Sequence, residues 1–181
     1  DLQFSKVKKL IYEKDIKLLL AHSSVAQIGY IALGFGLASS ASVAASFDHI
    51  GNHALIKGGL FMAVGSFVVA LSSRADLASF VGIGRRMPIT ATAFTVCGLS
   101  LAGLPLTAGF ISKLYLVRAI LAGDAYVIAA LVLLSSALSL IYLWKIIEIM
   151  WMQPAPAKST ILVENPAIYF PIWIVALANI C

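Results

Sequence analysis

Residues 125–150 (AYVIAALVLLSSALSLIYLWKIIEIM) form one unbroken apolar run. A helix needs roughly 20 such residues to cross a bilayer. Runs of the same kind cover 18–38, 43–71 and 88–123, and another starts near Ile168. Backbone groups in lipid have no water to bond to, so runs like these fold as helices. Composition agrees: 61% of the 181 residues are hydrophobic, 12% are charged, and the mean hydropathy is +0.97. A soluble domain is nearer half apolar and a quarter charged. These values exclude a disordered chain, a basic nucleic-acid-binding domain and an ordinary cytosolic enzyme. The expected fold class is an all-α polytopic membrane protein with five transmembrane helices and lipid as its main solvent.

One of these runs cannot be straight. The stretch from Pro88 to Gly123 is too long for a single span, and Gly103-Leu104-Pro105-Leu106-Thr107-Ala108-Gly109 lies in its middle. Proline removes a backbone donor and clashes with the preceding turn, and Gly103 and Gly109 loosen the chain further. The sequence predicts a broken helix with halves over 89–103 and 108–122, broken at Gly103, Pro105 and Gly109. Residues 1–17 hold five lysines offset by Phe4, Val7, Leu10 and Ile11. They read either as a short amphipathic element at the membrane surface or as a plain cytoplasmic loop. The transmembrane bundle is expected over 18–181.

Orientation follows from Lys and Arg in the joints. The first 17 residues carry five, the 72–87 connector three and the 145–167 region two. The turns at 39–44 and 122–125 carry none, although Arg118 precedes the second. The N-terminal segment and the 72–87 and 152–167 loops are therefore expected in the cytoplasm. No secretory signal, Walker loop, dinucleotide fingerprint or CxxC pair occurs, so no cofactor is expected. Cys97 and Cys181 are too sparse for a disulfide framework or metal site. The chain starts at Asp1 and stops inside an apolar run, so both ends read as cut.

Charges inside these runs are the candidate functional groups, because each is costly in lipid unless it faces protein or water. His49, His53 and Lys57 follow at i, i+4 and i+8, on one helical stripe about 12 Å long. Such a row can pass protons through side chains and water. The alternatives are histidines satisfied by neighbouring backbone and a lysine reaching for the surface. Lys113 follows the break by four residues, where freed backbone groups must face protein or water. Thr107 and Ser112 either line the same path or pack. Asp48 reads as an outer-surface acceptor or as a helix-start residue, and Glu148 as a local partner of Lys145. No carboxylate lies deep in a run. A buried acid partner for the lysines would come from another segment or subunit.

Three motifs resemble a known family. Lys14-Asp15-Ile16-Lys17-Leu18-Leu19-Leu20-Ala21-His22-Ser23-Ser24-Val25-Ala26-Gln27-Ile28-Gly29-Tyr30 resembles the K-R-L-L-A-Y-S-S-x-x-Q-x-G-Y segment of the antiporter-like membrane subunits. These include the D subunit of Mrp-type sodium/proton antiporters, subunits N, M and L of respiratory complex I, and subunits of membrane-bound hydrogenases. Asn52-His53-Ala54-Leu55-Ile56-Lys57-Gly58-Gly59-Leu60-Phe61 is similar to their H-A-x-x-K-x-x-L-F helix. Leu99 to Lys113 is similar to their broken helix and its lysine, and Gly84-Arg85-Arg86-Met87-Pro88 leans toward the Mrp D branch. Leu18 and His22 stand where the family has Arg and Tyr.

The resemblance implies fourteen helices in two inverted repeats, of which this chain is similar to the last five. The first nine would lie in the same or a separate chain. His53 and Lys57 would form the central relay. Lys113 would be the terminal lysine of the second half-channel, and Lys17 the lysine opening the tenth helix. The implied function is translocation of H+, with or without exchange for Na+, in a multisubunit antiporter complex. The alternative is a proton-pumping subunit of a complex I-like (NADH-quinone oxidoreductase) or hydrogenase redox complex. A third reading is a structural membrane subunit. The implied partners are other membrane subunits and lipid, with no redox centre or nucleic acid. The implied location is a bacterial or archaeal inner membrane, before an organellar one.

Overall fold

The computed structural model describes residues 15–72, 75–154, 162 and 164–180. Most of the 1–17 lead-in therefore lies outside the described residues, as do Arg74, Lys158 and Cys181. The described part is all-α: α1 (Ile16–Gly36), α2 (Ser40–Leu71), α3 (Ile83–Arg86), α4 (Pro88–Ala102), α5 (Ala108–Leu121), α6 (Tyr126–Trp151) and α7 (Pro166–Ala178). Among them α1, α2 and α6 are long and apolar enough to cross a membrane, and α4 and α7 are shorter apolar helices. The predicted fold class, an all-α polytopic membrane protein with one broken helix, is the one observed.

Local chemistry sets the ends. The Asp15 carboxylate accepts from the Lys17 and Leu18 amides at 2.8 and 3.3 Å and starts α1. Ser39 and Ser42 form a reciprocal capping box. It starts α2 at Ser40, earlier than the apolar run alone suggests. Asp48 consequently sits exposed in the third turn of α2, which overturns its reading as a helix-start residue. Pro88 opens α4, where its missing N–H costs nothing. The 72–87 connector is not a plain polar loop: it folds into a short 3-10 turn (Leu77–Phe80) and α3, and buries Leu77, Phe80, Ile83 and Met87.

The long helix α2 is the hub and packs on α1, α4, α5 and α7. Helix α4 also meets α6 and α7, and α5 meets α6. Gly34 allows the close crossing of α1 and α2, since a Cβ there would fall 2.0 Å from Ser46 Oγ. The interior divides into two apolar clusters. The larger gathers Leu20, Leu60, Phe67, Phe80, Phe94 and Leu143, and the smaller gathers Tyr30, Ala45, Leu116, Ile120, Ala129 and Val132. Between them each long helix contributes buried polar groups: Ser23 and Gln27 from α1, His49 and Lys57 from α2, Ser139 from α6. Helix α5 adds Ser112 and Lys113.

Candidate functional site

The polar layer begins at Lys57. Its Nζ donates to the Leu20 carbonyl at 2.6 Å and, in a short contact, to Ser23 Oγ. Lys57 is 7% exposed. It thus turns inward to α1 rather than toward the surface. The Ser23 and Ser24 hydroxyls donate to the same carbonyl, at 2.9 and 3.2 Å. The Tyr142 hydroxyl of α6 lies beside Ser23 and Ser139.

One turn away along α2, half-buried His53 stands within electrostatic reach of both Lys57 and Lys113. Its ring stacks toward that of His49, with centroids 6.4 Å apart and planes 17° from parallel. His53 Nε2 has no hydrogen-bond partner among the described residues, and neither does Gln27 Nε2.

His49, 2% exposed, joins three helices. Its Nε2 meets Gln27 Oε1 of α1 at 2.9 Å, and its Nδ1 meets Ser112 Oγ of α5 at 2.9 Å. With the Gln27 amide assigned this way round, Oε1 only accepts. His49 therefore carries its proton on Nε2, and Nδ1 accepts from the Ser112 hydroxyl. Ser112 has a second acceptor at hand, the Gly109 carbonyl at 3.4 Å.

The break supplies the seat of Lys113. Helix α4 ends at Gly103 in the left-handed conformation (φ 86°), and α5 restarts where Thr107 Oγ1 accepts from the Phe110 amide. Carbonyls in the last turn of a helix lack intrahelical partners. Lys113 Nζ fills that need, donating to the Leu101 and Ala102 carbonyls at 2.7 and 3.3 Å. The ammonium also lies 5.9 Å above the Tyr30 ring, a weak cation–π distance. Asn52 Nδ2 donates to the Ala108 carbonyl at 3.2 Å, tying α2 to the restart. A cavity of about 130 Å³ reaches Lys113 between α5 and α6, bounded by Gly103, Phe110, Val132 and Ser136.

Of the residues singled out by sequence, the structure brings His49, His53, Lys57 and Lys113 into one layer, with Gly103 and Gly109 forming the break beneath Lys113. Pro105 is exposed in the break. Lys17 is exposed in the first turn of α1 and stands apart from the layer. His22 is also exposed, with Nδ1 2.8 Å from the Leu18 carbonyl. Sequence reasoning passed over Ser23, Gln27 and Tyr30 as functional groups. They recur at i, i+4 and i+7 on the buried face of α1, a spacing that marks one stripe. Tyr142 and Asn179 gave no comparable signal. The buried polar residues include no Asp or Glu among those described.

A family model described as NADH:quinone oxidoreductase/Mrp antiporter, TM matches residues 10–139. NADH-quinone oxidoreductase subunit N of Desulforudis audaxviator is 40% identical over 146 residues, covering 81% of this chain and 29% of the relative. F(420)H(2) dehydrogenase subunit N of Methanosarcina mazei is 34% identical over 178 residues, covering 94% and 36%. A chain in the structure of the Mrp complex from Dietzia sp. superposes with a TM-score of 0.85 at 24% identity, over 96% of this chain and 40% of that one. A chain of the archaeal membrane-bound sulfane sulfur reductase superposes at 0.84 with 31% identity, over 94% and 34%. The chain spans about a third of the length of these relatives.

Proposed function

Since the chain belongs to the NADH:quinone oxidoreductase/Mrp antiporter transmembrane family, we propose that its polar layer is a segment of a proton path across a multi-pass membrane complex. The observation that carries this reading is His49, held between Gln27 and Ser112 with a lysine on either side of the layer. A proton taken up on Nδ1 makes the ring a donor on both sides. Ser112 can then turn its hydrogen to the Gly109 carbonyl. Release of the Nε2 proton to water in the path, and a turn of the ring that restores the first tautomer, complete one transfer. Lys57 and Lys113 are the groups that hold and release the proton, with His53 between them. Lys17, one turn before the Leu20 carbonyl that Lys57 grips, lies on the cytoplasmic approach. The cavity beside Lys113 has room for several waters and gives the far exit.

The segment corresponds to the last five helices of a fourteen-helix subunit, with 1–17 as its lead-in. The remaining helices, in this or another chain, supply the carboxylate that the layer lacks. Other membrane subunits complete the assembly. The test is proton movement into liposomes holding the intact complex, read with a pH-sensitive dye. Lys57→Ala and Lys113→Ala are each expected to lower it by about tenfold or more with assembly preserved. Wild-type rates in both would reject the relay. Loss of assembly with normal transport per surviving complex would favour a structural subunit.

A redox-driven pump is favoured over sodium/proton exchange by one observation. The relatives at 40% and 34% identity are named as oxidoreductase and dehydrogenase subunits, while the Mrp likeness at 24% speaks to fold. Electron-donor-driven proton uptake that ignores a sodium gradient supports the pump, and uptake driven by sodium alone supports the exchanger.

A further inference from the structure

The break between α4 and α5 is held from two sides. On one side is Lys113. On the other are Asn179 and Ile180, which follow α7 and meet the break. Asn179 is completely buried and every polar group it owns is engaged. Its carbonyl accepts from the Ala108 amide, the first of α5, at 3.1 Å. Its Oδ1 accepts from Ser100 Oγ at 3.3 Å, and its Nδ2 donates to the Val175 carbonyl at 2.7 Å. Ser100 Oγ in turn accepts from the Gly109 amide at 3.2 Å. Thr107 and Ile180 pair as an isolated antiparallel bridge beside it. Gly109 fits this knot because a Cβ there would fall 2.0 Å from the Ser100 carbonyl oxygen.

We propose that Asn179 is a positioning residue for Lys113, acting through Ser100 and the start of α5. Ser100 lies one and two residues before the carbonyls that Lys113 grips, and Ala108 lies five residues before Lys113 itself. The Asn179–Ser100–Gly109 contacts therefore fix both ends of the break relative to each other. They set where the ammonium sits with respect to Leu101, Ala102 and His49. A displacement of the order of 1 Å at a transfer step is worth far more in rate than in stability. The inference rests on the proton-path reading of Lys113.

The test uses the intact complex in liposomes and measures proton uptake per assembled complex across pH. The titratable groups facing Lys113 are Tyr30 from α1 and His49 and His53 from α2, while α4 and α6 offer carbonyls and Ser136. Asn179→Ala is expected to cut the rate by roughly tenfold and to move the pH of half-maximal transport by about half a unit or more. Ser100→Ala, the gentler variant, is expected to move both in the same sense and carries the test if Asn179→Ala does not assemble. An unchanged rate and pH profile in the assembled variant would overturn the inference, because a merely structural contact changes only the yield or melting temperature. Lys113→Ala is run alongside. If it transports normally, the path reading fails. If it is inactive while Asn179→Ala and Ser100→Ala match the wild type, only the positioning role fails.

Discussion

The side chain of Lys113 lies across Gly103. A Cβ at position 103 would sit 3.2 Å from Lys113 Cδ and 3.4 Å from its Nζ. Gly103 also holds a positive φ of 86°. Two independent constraints thus meet at one glycine: the backbone turn that ends α4 and the space occupied by the lysine it serves.

Gly103→Ala should therefore cost more function than stability. The left-handed backbone alone costs about 1–2 kcal/mol for a residue with a Cβ. The added methyl also presses on the Lys113 side chain, which must shift by a few tenths of an ångström against its carbonyl seat. Thermal melting of the purified complex should fall by a few degrees, while proton uptake falls by an order of magnitude. A variant that melts lower yet transports at the wild-type rate would separate Lys113 from the path.

Gln27→Leu keeps the size of the side chain and removes the acceptor for His49 Nε2. A buried donor left unpaired costs about 1–3 kcal/mol, and the His49 tautomer loses its anchor. Transport should drop sharply, and Gln27→Glu, which keeps an acceptor at the same reach, should retain more activity than Gln27→Leu. Equal activities in the two variants would show that orientation of His49 does not limit the rate.

Glu164 ties the loop before α7 to the first turn of α4. Its carboxylate accepts from the Ile89 and Thr90 amides at 2.9 and 2.7 Å and from Thr90 Oγ1 at 2.5 Å. Glu164→Ala removes this cap and should destabilise the bundle by about 1–2 kcal/mol, read as a lower melting temperature in detergent. The site lies at the opposite end of α4 from the break. Transport per surviving complex should stay near normal.

Gly34→Ala places a methyl against Ser46 Oγ and Leu116, at 2.0 and 2.9 Å. Helices α1 and α2 must part to admit it, at a cost of about 1–3 kcal/mol. Removing the facing hydroxyl with Ser46→Gly should recover part of that loss. Denaturation of the single and double variants checks the pair.

The helices were legible because lipid demands long apolar runs, and the break because proline and two glycines cannot continue one. The start of α2 was less so. Its limit is a serine capping box, which lies outside the apolar pattern. Lys57, Lys113 and the histidines stand out in sequence because charge is rare in such runs. Ser23, Gln27 and Asn179 do not, since hydroxyls and amides are cheap enough in membrane helices to occur for packing alone. Their roles arise from which helix faces them, and that is decided by α2 packing against four neighbours. Asn179 is a single amide in the apolar run that starts near Ile168, and nothing in its spacing marks it.

The gap between Gly103 and Thr107 sets two helix ends of opposite electrical sign close together. The carbonyl end of α4 carries partial negative charge and the amide end of α5 partial positive charge. A cation faces the first and a peptide oxygen faces the second. The pair is balanced only while both are in place, so loss of the charge on Lys113 would alter the field at the Asn179 carbonyl that faces α5.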